Sequence, residues 1–320
     1  MKYGDLSHRG RRVSRLILGS LAFSVDDPAT TNALLDRFFE AGGTAVDTAR
    51  VYGRGASEIA LGRWIRERHA RDRIVLISKG AHHDLSTLAS RVNQDAIQAD
   101  LQTSLDALQV DTIDFYLLHR DQPELPVGPI VDALNDLSTR GVIDAFGGSN
   151  WSHQRLDQAN AYARARGLTP MTVSSPNLAL AVPNEPVFPG CLSVSGDAEA
   201  LAWYARTRMP LLAWSSQARG FFSGRFSPDR RDGDANVIRV YYSDANWERA
   251  RRAGQLARDR GRSLSQIALA WVLHQPLDIY ALVGPRTVAE LDDCLAALDV
   301  ELSPAEQAWL NLEQGAPKPA

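Results

Sequence analysis

Ile74-Val75-Leu76-Ile77-Ser78 runs into Lys79, and Thr112-Ile113-Asp114-Phe115-Tyr116-Leu117-Leu118 runs into His119. Both runs are apolar at nearly every position rather than at alternate ones, as strands covered on both faces of a parallel sheet require. Between them Leu88, Val92, Ala96, Leu101, Leu105 and Leu108 recur at helical spacing. The segment reads as strand, helix, parallel strand. Working outward, the same alternation continues through Val13–Leu18 and Thr44–Asp47 on one side. On the other side it continues through Val142–Phe146, Met171–Ser174, Leu211–Trp214 and Ile279–Val283. Six intervals of about 28–40 residues suit single strand–helix units, and a longer one before the last run must hold additional structure. Eight such units predict an α/β fold, a single-domain (β/α)8 TIM barrel over residues 1–320 with a frayed tail at about 314–320. A doubly wound open sheet is the alternative.

Composition agrees with a globular chain. Of 320 residues, 44% are hydrophobic and 23% charged, which excludes disorder as the main state. Thirty-five basic against 38 acidic residues leave a net charge of −3, so no global field draws nucleic acid, and no nucleic-acid partner is expected. No apolar run is long enough to span a membrane, and Met1–Asp5 does not resemble a secretory leader, so a cytoplasmic location is expected. Two cysteines, Cys191 and Cys294, make no disulfide framework. Oligomeric state is open.

In a barrel of this kind chemistry gathers where the strands end. Asp47, Lys79 and His119 each close an apolar run, and Tyr52 lies in the loop after Asp47. A phenol has a pKa of about 10. A Lys79 cation beside it favours phenolate and lowers that value, and Asp47 keeps Lys79 charged and in place. His119 can donate a hydrogen bond to a carbonyl. His82-His83-Asp84 lacks a matching carboxylate or His-x-His element, so no metal site is expected, and these residues are assigned to the rim. Trp151 and Trp214 are expected to offer apolar walls to a substrate.

Several ordered motifs resemble one family. Val46-Asp47-Thr48-Ala49-Arg50-Val51-Tyr52-Gly53, then Ser57-Glu58 and Leu61-Gly62, is similar to the opening signature of the aldo-keto reductases. Ile77-Ser78-Lys79, the segment from Asp100 to His119, Gly147-Gly148-Ser149-Asn150-Trp151, Ala213-Trp214-Ser215-Ser216 and Gly284-Pro285-Arg286 continue the likeness in order. The resemblance implies a barrel without a Rossmann domain that binds NADP(H) in an extended pose and reduces a small-molecule carbonyl. It implies Tyr52 as general acid–base, supported by Asp47, Lys79 and His119. Ser149 and Asn150 would hold the carboxamide, and Trp214 would stack on the nicotinamide. Ser215, Ser216, Gly220 and Arg225 would follow the pyrophosphate. Gly284 would open the adenosine end, where Arg286 meets the 2′-phosphate.

The chain departs from the family at Ser175, where Gln is usual, which shortens or removes a second carboxamide contact. Ser216-Gln217 replaces Pro-Leu, and Glu290 and Cys294 stand where Gln and Asn are usual. Glu290 can accept from the adenine amino group, but its charge opposes a 2′-phosphate. NADPH is therefore the expected cofactor, with NADH left open. Two rival readings remain: a nicotinamide-dependent isomerase using transient oxidation and re-reduction, and a cofactor-sensing binding subunit.

Overall fold

The structure is a computed structural model that describes residues 1–8 and 10–313; the tail expected to fray lies outside the described residues. Strands β1 (Tyr3–His8) and β2 (Arg11–Ser14) form an antiparallel hairpin. The chain then enters the barrel through β3 (Leu16–Gly19), β4 (Ala45–Asp47), β5 (Val75–Gly80) and β6 (Ile113–Leu118). It continues through β7 (Ile143–Ser149), β8 (Val173–Ser175), β9 (Leu211–Ala213) and β10 (Ile279–Val283). Neighbours pair in parallel, and β10 pairs with β3 to close the cylinder.

Helices α1 (Pro28–Glu40), α2 (Ala56–Glu67), α3 (Gln94–Leu108), α4 (Val127–Thr139), α5 (His153–Ala165) and α6 (Ala198–Thr207) return the chain between successive strands. The long seventh interval holds α7 (Ala235–Tyr241), α8 (Asp244–Arg260) and α9 (Leu264–Leu273). After β10 come α10 (Val288–Ala296) and α11 (Pro304–Leu310). No helix among the described residues is long and apolar enough to cross a membrane.

Strand side chains alternate between faces, and here both faces are apolar. Ile17, Ala45, Val75, Ile77, Phe115, Leu117, Val173, Leu212, Tyr280 and Leu282 form the inner cluster. Their sequence neighbours Leu16, Leu18, Val46, Leu76, Tyr116, Leu118 and Leu211 pack outward in the cluster that includes the helices. Continuous apolar runs are the direct result.

Two boundaries differ from the sequence reading. Val13–Leu18 is not one strand: Val13 belongs to the hairpin, and the Arg15 N–H donates to the Lys2 carbonyl at 2.9 Å, between β2 and β3. Leu6 and Val13 join the inner cluster, and the Leu6 N–H donates to the Tyr280 hydroxyl at 2.6 Å, so the hairpin closes the N-terminal end of the barrel. Leu88 and Val92 precede α3 rather than belonging to it. Asn93 caps α3 through a 2.9 Å bond from the Ala96 N–H, and Leu88 is exposed in a turn held by Asp84. Ser152 caps α5 as its position predicts, accepting from the Arg155 N–H.

Candidate active site

The inner-face period places the polar residues. Asp47 shares parity with Ala45, Lys79 with Val75 and Ile77, and His119 with Phe115 and Leu117. Each therefore continues an inward-facing row one step past the apolar core, at the C-terminal mouth. Ser175 follows Val173 and Trp214 follows Leu212 in the same way. Tyr52 starts a 3₁₀ turn, Tyr52–Gly55, that leads from β4 into α2.

Lys79 Nζ donates to Asp47 Oδ1 at 2.6 Å and to the Thr48 carbonyl at 2.9 Å, and stands 3.5 Å from the Tyr52 hydroxyl. Both ends of the ion pair are only 2% exposed. Burial is the largest influence and works against the Lys79 ammonium, but Asp47 and Tyr52, through charge and hydrogen bonds together, more than offset it and hold its pKa above the ordinary value. The Tyr52 and His119 rings meet edge to face, with centroids 5.6 Å apart.

Tyr52 corrects one expectation. Burial pushes its phenol above the ordinary range, and the Lys79 charge offsets only part of that shift. The hydroxyl therefore holds its proton at neutral pH. His119 is driven the other way, well below the usual imidazole value, by burial and then by the charges of Lys79 and Arg120. A neutral His119 can donate one hydrogen bond but is no imidazolium acid.

The next two strands are bolted to this group. Asn150, in the left-handed region at φ 62°, donates through Nδ2 to the His119 carbonyl and to Ser149 Oγ, both at 3.2 Å. Ser149 Oγ donates to the Ser175 carbonyl at 3.0 Å, and Ser175 Oγ to the Leu212 carbonyl at 2.9 Å. Ser175, wholly buried, thus spends its only proton between strands. Trp214 is half-buried and packs against both hydrophobic clusters, with its buried Nε1 unpartnered among the described residues.

Loops after β9 and β10 carry the remaining residues. Ser215 has φ 50°, and Ser216 Oγ donates to the Leu282 carbonyl at 2.8 Å. Gly220 has φ 84°, and a Cβ there would stand 2.8 Å from Arg225 Nη2. Arg225 is exposed, with Nε donating to Ser223 Oγ. Gly284 and Arg286 are exposed, and Thr287 caps α10. Glu290 Oε2 accepts from the Arg286 N–H at 2.7 Å. Cys294 Sγ lies 3.5 Å from Gln217 Oε1, so two of the departures noted in sequence are neighbours.

The aldo/keto reductase family model matches residues 15–311. The chain belongs to the aldo/keto reductase family. It is 27% identical to the uncharacterized oxidoreductase YrpG of Bacillus subtilis, over 97% of this chain and 95% of that protein. It is 28% identical to norsolorinic acid reductase of Aspergillus flavus, over 94% of this chain and 77% of that protein. A solved aldo/keto reductase from Klebsiella pneumoniae, in complex with NADP and acetate, aligns over 100% of this chain and 98% of its own with a TM-score of 0.73 and 24% identity. That likeness concerns the fold. The protein is an oxidoreductase of this family.

Other features of this aldo/keto reductase differ from the sequence reading. Trp151 is no substrate wall: it is fully buried, donates through Nε1 to the Arg120 carbonyl at 3.1 Å and lies under the Arg155 guanidinium. The His82 ring reaches His119, with centroids 4.8 Å apart, and burial followed by the Arg120 charge pushes its pKa down to about 4. Asp84 instead accepts from Ser86 and Thr87 in its own turn. Glu58, quoted only as part of a motif, is completely buried and accepts from Ser78 Oγ at 2.6 Å behind Lys79. Arg120 was missed entirely. Its only sequence signal is a charge directly after the strand-ending histidine.

Proposed function

We propose that the protein, acting as one barrel domain, reduces an aldehyde or ketone to an alcohol with NADPH, using Tyr52 as the proton donor. The observation that carries this reading is the buried sequence of contacts from Asp47 through Lys79 to a protonated Tyr52, beside a neutral His119. Bound NADPH would supply the hydride. His119 would orient the substrate carbonyl by a hydrogen bond, and Tyr52 would give its proton to the oxygen as negative charge develops there. Lys79 would stabilise the phenolate left behind, and Asp47 would keep Lys79 charged.

The residues present fit the dinucleotide. Ser20 Oγ, Thr48 Oγ1, His119 Nδ1 and Trp214 Nε1 are buried and unpartnered among the described residues. All four stand on or just past strand ends at the mouth, as a polar ligand there requires. A Cβ at Gly284 would meet open space, and the start of α10 with Arg286 combines a helix N-terminus and a guanidinium suited to phosphate. Asn150 and Ser149 would hold the carboxamide, Trp214 the nicotinamide face, Ser215, Ser216, Gly220 and Arg225 the pyrophosphate, and Arg286 the 2′-phosphate. Ser175, its proton already committed to Leu212, would offer that ligand only a hydroxyl oxygen.

Tyr52→Phe tests the assignment. The variant should bind NADPH as the parent does while turnover of a panel of aldehydes and ketones, followed by NADPH absorbance, falls about 10²–10⁴-fold. Near-parental turnover would remove Tyr52 from the reaction.

A further inference from the structure

Two arginines among the described residues are less than one-tenth exposed, Arg120 at 7% and Arg155 at 6%. They are treated differently by the fold. Arg155 Nε meets both oxygens of Asp121 at 3.1–3.2 Å, and its Nη2 reaches the Gln122 and Leu125 carbonyls. Arg120 donates through Nε to the Pro189 carbonyl at 3.2 Å and through Nη1 to the His119 carbonyl at 2.8 Å. Both acceptors are neutral, and no carboxylate pairs with Arg120 among the described residues.

A guanidinium carries five N–H groups, so these two contacts leave most of it unengaged. A buried charge without a counter-charge is costly, and this one costs stability at the very edge of the reaction site. Its field reaches Tyr52, His82, His83 and His119, and each of the three imidazoles is disfavoured as a cation by it. The nearby Lys79 charge is already balanced by Asp47. The Arg120 charge has no such partner among the described residues.

The arginine is also held firmly. The Trp151 indole donates to its carbonyl, and the Pro189–Gly190 backbone packs along its stem. Gly190 has φ 68°, a conformation strained for other residues, and a Cβ there would stand 3.1 Å from Arg120 Cδ, so glycine favours this close approach of the loop. A fixed, partly unengaged guanidinium beside a carbonyl-reducing group is suited to a bidentate anion.

We infer that Arg120 receives a carboxylate of the substrate, so that the preferred substrates are oxo acids whose carboxylate stands apart from the carbonyl being reduced. This rests on the reductase reading above. The histidines at the same rim, held neutral, leave the anion to the arginine.

Matched substrate pairs test it: 4-oxobutanoate and 4-carboxybenzaldehyde, each against its methyl ester, with NADPH and the parent, Arg120→Met and Arg120→Lys proteins. The parent should favour at least one acid over its ester by about 10- to 100-fold in kcat/KM, as a charge-assisted contact allows. Arg120→Met should lose that preference, kcat/KM for the acid falling about 10- to 100-fold more than for its ester, chiefly through a higher KM. Arg120→Lys should keep part of it. Equal efficiency for acid and ester in the parent overturns the inference and leaves the reductase reading intact. An equal fall for acid and ester in both variants makes Arg120 only a brace for the Pro189 loop. A shifted pH profile common to both substrates makes it a tuner of Tyr52. Reduction of no acid and no ester, by a parent that binds NADPH, overturns the reductase reading and this inference with it.

Discussion

Lys79 and Asp47, on β5 and β4, are 2% exposed and joined at 2.6 Å. Arg225 and Arg286, on the loops after β9 and β10, stand in solvent. In the first sector the barrel itself fixes the geometry: strand parity aims each side chain inward, and the neighbouring strands leave it nowhere else to go. In the second, geometry is set by loop backbones with left-handed residues at Ser215, Arg219 and Gly220 and by one helix cap. A preassembled sector has its charges in place before a ligand arrives. An exposed sector acquires most of its interaction energy when a ligand orders it. Substitutions in the first should alter rate and stability, and those in the second should alter affinity.

The largest expected contrast comes from Lys79→Met. Removing one partner of a buried pair leaves Asp47 uncompensated, a loss of about 3–5 kcal/mol for such pairs. Catalysis should suffer separately. The Lys79 charge favours phenolate, so without it the Tyr52 pKa rises further, and the alkaline limb of residual activity should move to higher pH. Pairing the change with Asp47→Asn should restore thermal stability toward the parent without restoring turnover. Unfolding midpoints and pH–rate profiles of the three proteins check both halves. Recovered turnover in the double variant would reduce the pair to packing.

A smaller effect, confined to affinity, is expected from Arg286→Ala. If the guanidinium reads a 2′-phosphate, NADPH binding should weaken by about 10- to 150-fold, the range of a charge-assisted contact, while NADH binding hardly changes. Fluorescence titration with both cofactors decides it. Equal losses for the two would place Arg286 elsewhere on the dinucleotide, and a changed kcat would blur the division between sectors.

That division also governs what the sequence could reveal. Barrel strands buried on both faces appear as unbroken apolar runs, so polar residues ending them at Asp47, Lys79 and His119 stand out. Arg120 does not, because a charge after a strand is the usual look of a loop entering water. Its burial depends on Pro189 and Gly190, about 70 residues away in the chain. Trp151 misled for the same reason: an aromatic in a loop motif says nothing of which way the ring turns. Leu88 continues the helical period of α3 in sequence, but Asp84 captures the intervening turn through the Ser86 and Thr87 N–H groups. The Val13–Leu18 run hides its break at Arg15 because the hairpin and the barrel share one inner cluster.

The smallest expected effect lies at Glu290, and it tests whether the exposed sector is tuned by charge alone. Glu290 occupies the third position of α10, where a carboxylate is favourable at the helix N-terminus. It already accepts the Arg286 N–H at 2.7 Å, so it satisfies a group that a phosphate would also seek. Its charge repels that phosphate, but through water and counter-ions, which screen exposed charges. Glu290→Gln keeps an acceptor for the Arg286 N–H and removes the repulsion. NADPH should bind about 2- to 5-fold more tightly, a gain of no more than about 1 kcal/mol, and NADH should be unaffected. Because the effect is electrostatic, the gain should shrink as salt is raised from low to high ionic strength. A gain that persists at high salt, or that NADH shares, would mean that Glu290 acts by holding the loop at Arg286 rather than by its charge.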